Sequence, residues 1–143
     1  MKVEHIGIAI KNLSASHELF LRLFQQEPYK EESVESEGVT TSFFQMGETK
    51  IELLEATRPD SPISKFIEKR GEGIHHIAFE VDDIRSEMQR LAGEGFRLLN
   101  EEPKAGADNK WVCFLHPKET NGVLVELCQS RDKDETLSKV RTS

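Results

Sequence analysis

The sequence predicts an α+β fold made of two tandem βαβββ modules whose strands form a curved mixed sheet around a shared cleft. Three observations carry that prediction. A strand-like segment occurs twice, as His5-Ile6-Gly7-Ile8-Ala9-Ile10 and as His76-Ile77-Ala78-Phe79-Glu80-Val81. A second segment also occurs twice, as Lys50-Ile51-Glu52-Leu53 and as Leu124-Val125-Glu126-Leu127, at nearly the same spacing. Between them, runs with the period of two of a strand alternate with segments patterned at helical spacing.

In the first half, Val3 to Ile10 reads as a strand. Alternation places Ile6, Ile8 and Ile10 on one face and His5, Gly7 and Ala9 on the other. The first face requires a core, and the second leaves room in front of an imidazole. Asn12 or Ser14 caps a helix of about a dozen residues, with Leu13, Phe20, Leu23 and Phe24 as its apolar stripe and Pro28 marking the stop. Lys30 to Glu37 is acidic and turn-like. Val39 to Met46 and Thr49 to Leu54 form a hairpin about Gly47-Glu48, with Lys50, Glu52 and Leu54 on one face of the second arm. Arg58 to Pro62 is a loop, and Ile63 to Arg70 a short helix started by Ser61 or Pro62.

The second half repeats the plan. Ile74 to Val81 is a strand with Ile77, Phe79 and Val81 on one face and His76, Ala78 and Glu80 on the other. Asp82 or Asp83 caps a helix with the stripe Ile84, Met88, Leu91 and Ala92, ended by Gly93 and Gly95. Strands follow near Phe96–Leu99, Lys110–His116 and Gly122–Cys128, with Pro103 to Asn109 as a loop. One β-α-β-β-β module exposes one face of its sheet, and two together curl those faces into the cleft. Residues 1–128 thus form one domain, with module one about 1–71 and module two about 72–128, and 129–143 is a polar tail.

Bulk properties narrow the function. The 143 residues suffice for a packed core. A net charge of −7 leaves no broad basic face to neutralise phosphates, which argues against nucleic acid. No apolar run reaches membrane-spanning length. The amino terminus enters a strand at once and shows no leader pattern. Cys113 and Cys128 lie in apolar strand-like segments and read as buried thiols of a reducing compartment, so the protein is expected in the cytoplasm.

The repeated pair carries the chemistry. His5, Glu52, His76 and Glu126 all point into the cleft, which makes it a metal cleft with two nitrogen and two carboxylate ligands. That donor set suits one divalent ion, Zn2+ or Co2+ first, with Ni2+ and Mn2+ fitting the same donors. Glu126 lies among Val123, Leu124, Val125, Leu127 and Cys128, where an unpaired buried carboxylate is costly. His75 points away by alternation and stays outside the set. His17 is solvated on the first helix, and His116 serves a turn. Arg58, Lys65, Lys104, Lys110 and Lys118 are the cations available to an anionic ligand, each balanced against an ordinary role as a surface charge.

With these residues in view, the chain resembles the methylmalonyl-CoA epimerases of the vicinal-oxygen-chelate (glyoxalase-type) superfamily. The resemblance rests on the opening His5 strand, on Arg58-Pro59-Asp60-Ser61-Pro62-Ile63-Ser64-Lys65-Phe66 and on Gly73-Ile74-His75-His76-Ile77-Ala78-Phe79-Glu80-Val81-Asp82-Asp83-Ile84. It rests also on Phe114-Leu115-His116-Pro117-Lys118 followed by Gly122-Val123-Leu124-Val125-Glu126-Leu127. It implies a glyoxalase-like fold, a metal held at His5, His76 and Glu126, an acyl-CoA substrate and a homodimer. The remaining ligand position, often Gln in epimerases, is Glu52 here, as in glyoxalase I. A glutamate base found in some epimerases falls on Thr41, which cannot act as a base at neutral pH.

The implied reaction is epimerisation at the carbon alpha to the thioester, with Glu126 as base and Glu52 as its counterpart on the other face. Glyoxalase I-type lactoylglutathione lyase activity uses the same proton transfer beside a carbonyl. A non-catalytic superfamily binding protein typically lacks a full ligand set. Superfamily iron dioxygenases usually have three protein ligands.

Overall fold

The computed structural model describes residues 1–132. Strand β1 (Lys2–Ala9) leads into helix α1 (Leu13–Phe24), strands β2 (Lys30–Val34), β3 (Val39–Met46) and β4 (Thr49–Ala56), and helix α2 (Pro62–Arg70). The plan then recurs as β5 (Gly73–Glu80), α3 (Ile84–Gly93), β6 (Lys104–Gly106), β7 (Lys110–Leu115) and β8 (Val125–Ser130). This is the α+β class with two βαβββ modules that the repeats predict. The internal contacts gather into two compact units, one of Glu4–His76 and the other of Ile77 onward with Met1–Val3.

In the first unit the strands run β2-β3-β4-β1. β1 and β4 are parallel, the chain passing through α1, β2 and β3 between them, while β3 is antiparallel to both of its neighbours. The register sets His5 opposite Lys50, Gly7 opposite Glu52 and Ala9 opposite Leu54. Helix α1 begins where Asn12 is extended and its side chain accepts from the Ala15 amide at 2.9 Å. It ends where Gln25 turns left-handed at φ 55°, three residues before the expected stop at Pro28. Ile10, Phe44 and Leu53 form the core beneath Leu13, Phe20 and Phe24. Leu23, expected in that stripe, is 67% exposed, because Phe20 and Phe24 already cover Phe44 and leave it at the flank. On the other sheet face, Ala9, Val39, Leu54 and Ile63 pack with Phe66 and Ile67 of α2.

The segment expected to be turn-like, Lys30 to Glu37, is instead strand β2 followed by a 3-10 turn over Glu35–Glu37. β2 has no apolar face to betray it in the sequence. Its extended form is imposed by pairing with β3, from Lys30 opposite Phe43 to Val34 opposite Val39.

In the second unit the order is β5-β8-β7-β6, with β5 and β8 parallel and the other pairs antiparallel. Asp83 caps α3 by accepting from the Ser86 amide at 3.1 Å. The helix buries Ile84, Met88 and Leu91 against Val81, Cys113, Leu115 and Leu127, whereas Ala92 is exposed. The expected strand at Phe96–Leu99 reduces to one bridge, Leu98 to Leu115, and the third strand is β6 within the expected loop. β8 starts at Val125 rather than Gly122, because Asn121 and Gly122 are left-handed at φ 56° and 84° and cannot extend the strand.

Cys113 and Cys128 are both buried free thiols. Their cross-strand partners, Leu127 and Val112, put them on opposite faces of the β7–β8 pair. Gln129 and Ser130 end β8, and the Gln129 side chain accepts from the Ile84 amide at 2.7 Å. The rest of the expected polar tail lies outside the described residues from 133 onward. Among the described residues, no helix is long and apolar enough to cross a membrane.

Candidate metal site

Three of the four residues singled out by the repeats meet in the first unit. Alternation along β1 sends His5 and Gly7 to the face that carries Glu52, whose strand register is opposite Gly7. His76 Nε2 lies 3.0 Å from His5 Nε2. Glu52 Oε1 lies 3.4 Å from His5 Nε2 and 3.3 Å from His76 Nε2. All three residues are buried, with 6% of His5, 4% of Glu52 and 4% of His76 exposed. Space for this convergence comes from Gly7, since a Cβ there would fall on the His76 ring. Phe43 closes the side of the His5 ring in an edge-on contact.

The outer nitrogens of both histidines are also engaged. His5 Nδ1 lies 3.0 Å from Glu4 Oε1, and Lys50 Nζ lies 2.9 Å from the other Glu4 oxygen. His76 Nδ1 lies 2.9 Å from His75 Nδ1. His75 was expected to point away; alternation sets where its Cβ leaves the strand, but rotation about its side-chain bonds turns the ring back to its neighbour. It rests edge-on against Phe66. Burial first, and then the neighbouring His76, push the His75 imidazole down from 6.5 to about 4, against an opposing pull from Glu52. His75 is therefore neutral at pH 7.

The donor set fits a divalent cation. Nδ1 of each histidine lies within hydrogen-bond distance of a neighbour, and the two Nε2 atoms and Glu52 Oε1 face one point. A cation at that point would be held by all three atoms. Ligands about 2.1 Å from an ion and about 90–109° apart stand about 3.0–3.4 Å from one another. The three observed separations fall in that range. His5, Glu52 and His76 thus form a candidate metal site.

Glu126 belongs to the second unit, where it is 5% exposed and registered opposite Ala78 and Phe114. The two glutamates hold equivalent places. Each stands in the strand parallel to its module's histidine strand, opposite the residue two positions beyond the histidine: Gly7 for Glu52, Ala78 for Glu126.

Several of the other candidates have structural partners. Arg58 donates to the Glu35 carbonyl at 2.6 Å and pairs with Asp60 at 2.8 Å, so it braces the turn before β3. His116 caps a 3-10 turn by accepting from the Lys118 amide, the turn role expected. His17 pairs with Glu27 at 3.2 Å. Lys110 is buried near Glu80, and Lys104 lies over the Phe114 ring. Thr41 is fully buried, its hydroxyl donating to the Glu32 carbonyl at 3.3 Å. Reading the sequence missed Glu4, Lys50 and His75 as supports of the site; the available signal was a polar residue directly before each histidine inside a strand.

Residues 4–114 match the family described as the Glyoxalase/Bleomycin resistance protein/Dioxygenase superfamily. The chain is 44% identical over 127 residues to the mitochondrial methylmalonyl-CoA epimerase of Dictyostelium discoideum, covering 88% of this chain and 76% of that protein. It is 42% identical over 130 residues to the ethylmalonyl-CoA/methylmalonyl-CoA epimerase of Cereibacter sphaeroides, covering 90% and 97%. Among solved structures, methylmalonyl-CoA epimerase from Streptomyces coelicolor in complex with 2-nitronate-propionyl-CoA superposes with a TM-score of 0.88 at 36% identity, covering 91% of this chain and 94% of that one. The chain belongs to this superfamily and, within it, to the methylmalonyl-CoA epimerase family.

Proposed function

We propose that the protein is a metal-dependent methylmalonyl-CoA epimerase, with His5, Glu52, His76 and Glu126 as ligands of one divalent ion. The observation that carries this reading is the convergence of His5 Nε2, His76 Nε2 and Glu52 Oε1 within 3.0–3.4 Å in a buried site. Glu126 joins the set on its burial and its matching register in the second module. The ion, Zn2+ or Co2+ in first place, supplies Lewis acidity toward the two carbonyl-type oxygens flanking the acidic carbon. Glu126 takes the proton from one face of that carbon, and Glu52 is its counterpart for return at the other. Thr41 has no basic group to offer, so the proton carriers are either the two ligand glutamates, as proposed, or another carboxylate. The protein acts on an acyl-CoA in the cytoplasm, as a homodimer.

Glu52 also favours a second reading, because glyoxalase I resembles this chain in using two His and two Glu. Deuterium incorporation at C2 of methylmalonyl-CoA in heavy water separates the two. Exchange that stops with a chelator and returns with Zn2+ or Co2+ is expected. No exchange, with turnover of methylglyoxal plus glutathione, would move the assignment to lactoylglutathione lyase. Absence of both from metal-loaded protein would leave a binding protein. Glu126→Gln that keeps both metal and full activity would remove Glu126 from the mechanism.

A further inference from the structure

The repeat extends one residue beyond the ligands. In each module, the residue immediately before the site histidine reaches that histidine's outer nitrogen: Glu4 to His5 Nδ1 at 3.0 Å, and His75 to His76 Nδ1 at 2.9 Å. Adjacent residues in a strand leave on opposite faces, so such a contact requires the preceding side chain to fold back past the strand edge. It happens twice, with different residue types. Glu4 is buried, and its second oxygen is held by Lys50 at 2.9 Å. His75 is packed edge-on against Phe66 at a ring separation of 5.0 Å.

We propose that Glu4 and His75 are positioning residues that each accept a hydrogen bond from Nδ1–H of the following histidine, so that His5 and His76 both present Nε2 to the metal. This rests on the metal-site reading given above. A histidine with Nδ1–H donated to a fixed acceptor has one tautomer, one ring orientation and a more basic Nε2. The two supports are chemically unequal. A carboxylate draws the Nδ1 proton more strongly than an imidazole nitrogen does, so His5 is the stronger donor to the metal and His76 the weaker. Lys50 fixes the Glu4 carboxylate in place, as Phe66 fixes the His75 ring.

The test uses the full chain loaded with Zn2+ and labelled with 15N-histidine. Wild-type protein is expected to show a slowly exchanging Nδ1–H on both His5 and His76, with the His5 proton further downfield. Glu4→Leu is expected to lose the His5 signal alone and to weaken Zn2+ binding about tenfold to a hundredfold. His75→Phe should do the same to His76. Glu4→Gln, which keeps an acceptor oxygen, and His75→Asn, which puts an amide oxygen in place of the acceptor nitrogen, should recover most of the affinity. A protonated Nε2 on either histidine in the loaded wild type would overturn the proposal without any variant, so it survives a variant that does not fold. Zn2+ affinity within twofold of wild type in both Glu4→Leu and His75→Phe, with both signals intact, would overturn it and leave the metal site standing. Failure of wild-type protein to bind Zn2+, Co2+, Ni2+ or Mn2+ would overturn the metal-site reading and this proposal together.

Discussion

At the residue scale, the candidate site depends on an absence. Gly7 has no side chain, and the His76 imidazole occupies the volume a Cβ would take. Gly7→Ala is expected to displace that ring, costing about 1–3 kcal/mol of stability and at least tenfold in Zn2+ affinity; thermal melts and metal titration measure the two separately. Thr41 and Ser42 make a second test, because neighbouring hydroxyls sit in unlike surroundings. Ser42 Oγ is buried with no hydrogen-bond partner among the described residues, whereas Thr41 Oγ1 has the Glu32 carbonyl. Ser42→Ala is therefore expected to be neutral or to stabilise by under about 1 kcal/mol, and Thr41→Val to destabilise by about 1 kcal/mol. Urea denaturation should order them that way. Cys113 and Cys128 are buried, and burial pushes the Cys113 thiol up from its usual value. Neither should react with an aromatic disulfide reagent in native protein at pH 7.5, and both should react after denaturation.

At the element scale, helices were the most legible parts. Asn12 and Asp83 cap α1 and α3 through the side-chain acceptors their residue types predict. Asn12→Ala should cost about 1 kcal/mol by losing the acceptor for the Ala15 amide, read from the shift in the urea midpoint. Ser61 likewise opens α2 with Pro62 in its first turn. Central strand β4 was legible because Ile51 and Leu53 share one face, and β3 because the Gly47-Glu48 turn joins it to β4 as a hairpin. Edge strands were not. β2 reads Lys-Glu-Glu-Ser-Val and β6 Lys-Ala-Gly, and neither has a face that hydrophobicity can mark. Their strand character comes from hydrogen bonds offered by β3 and β7, which lie outside the segments themselves.

At the scale of the whole molecule, metal binding should couple to stability. A cation bound by the native site and not by the unfolded chain raises the melting temperature with its concentration. Treatment with a strong chelator is expected to lower the melting temperature of purified protein, and Zn2+ or Co2+ to restore it. Glu52→Gln should shrink that metal-dependent shift, since it removes the one charged ligand in the cluster formed by His5, Glu52 and His76. An unchanged melting temperature across chelation and reloading would argue against the cluster as the metal's site.

The repeat was written in the order of residues alone. Two copies of a histidine strand and a glutamate strand dictated two βαβββ modules, and the period of two assigned each of those four side chains to a face. That information is local, because alternation and capping act between near neighbours in the chain. Which atoms meet was settled by packing between strands. The parallel register of β1 and β4 set Glu52 opposite Gly7, and the missing Cβ of Gly7 let the His76 ring approach His5. Tertiary packing also brought Lys50 to Glu4 and folded His75 back onto His76. Such contacts depend on register and side-chain rotation in a packed interior, and no pattern of residue types along one strand specifies either.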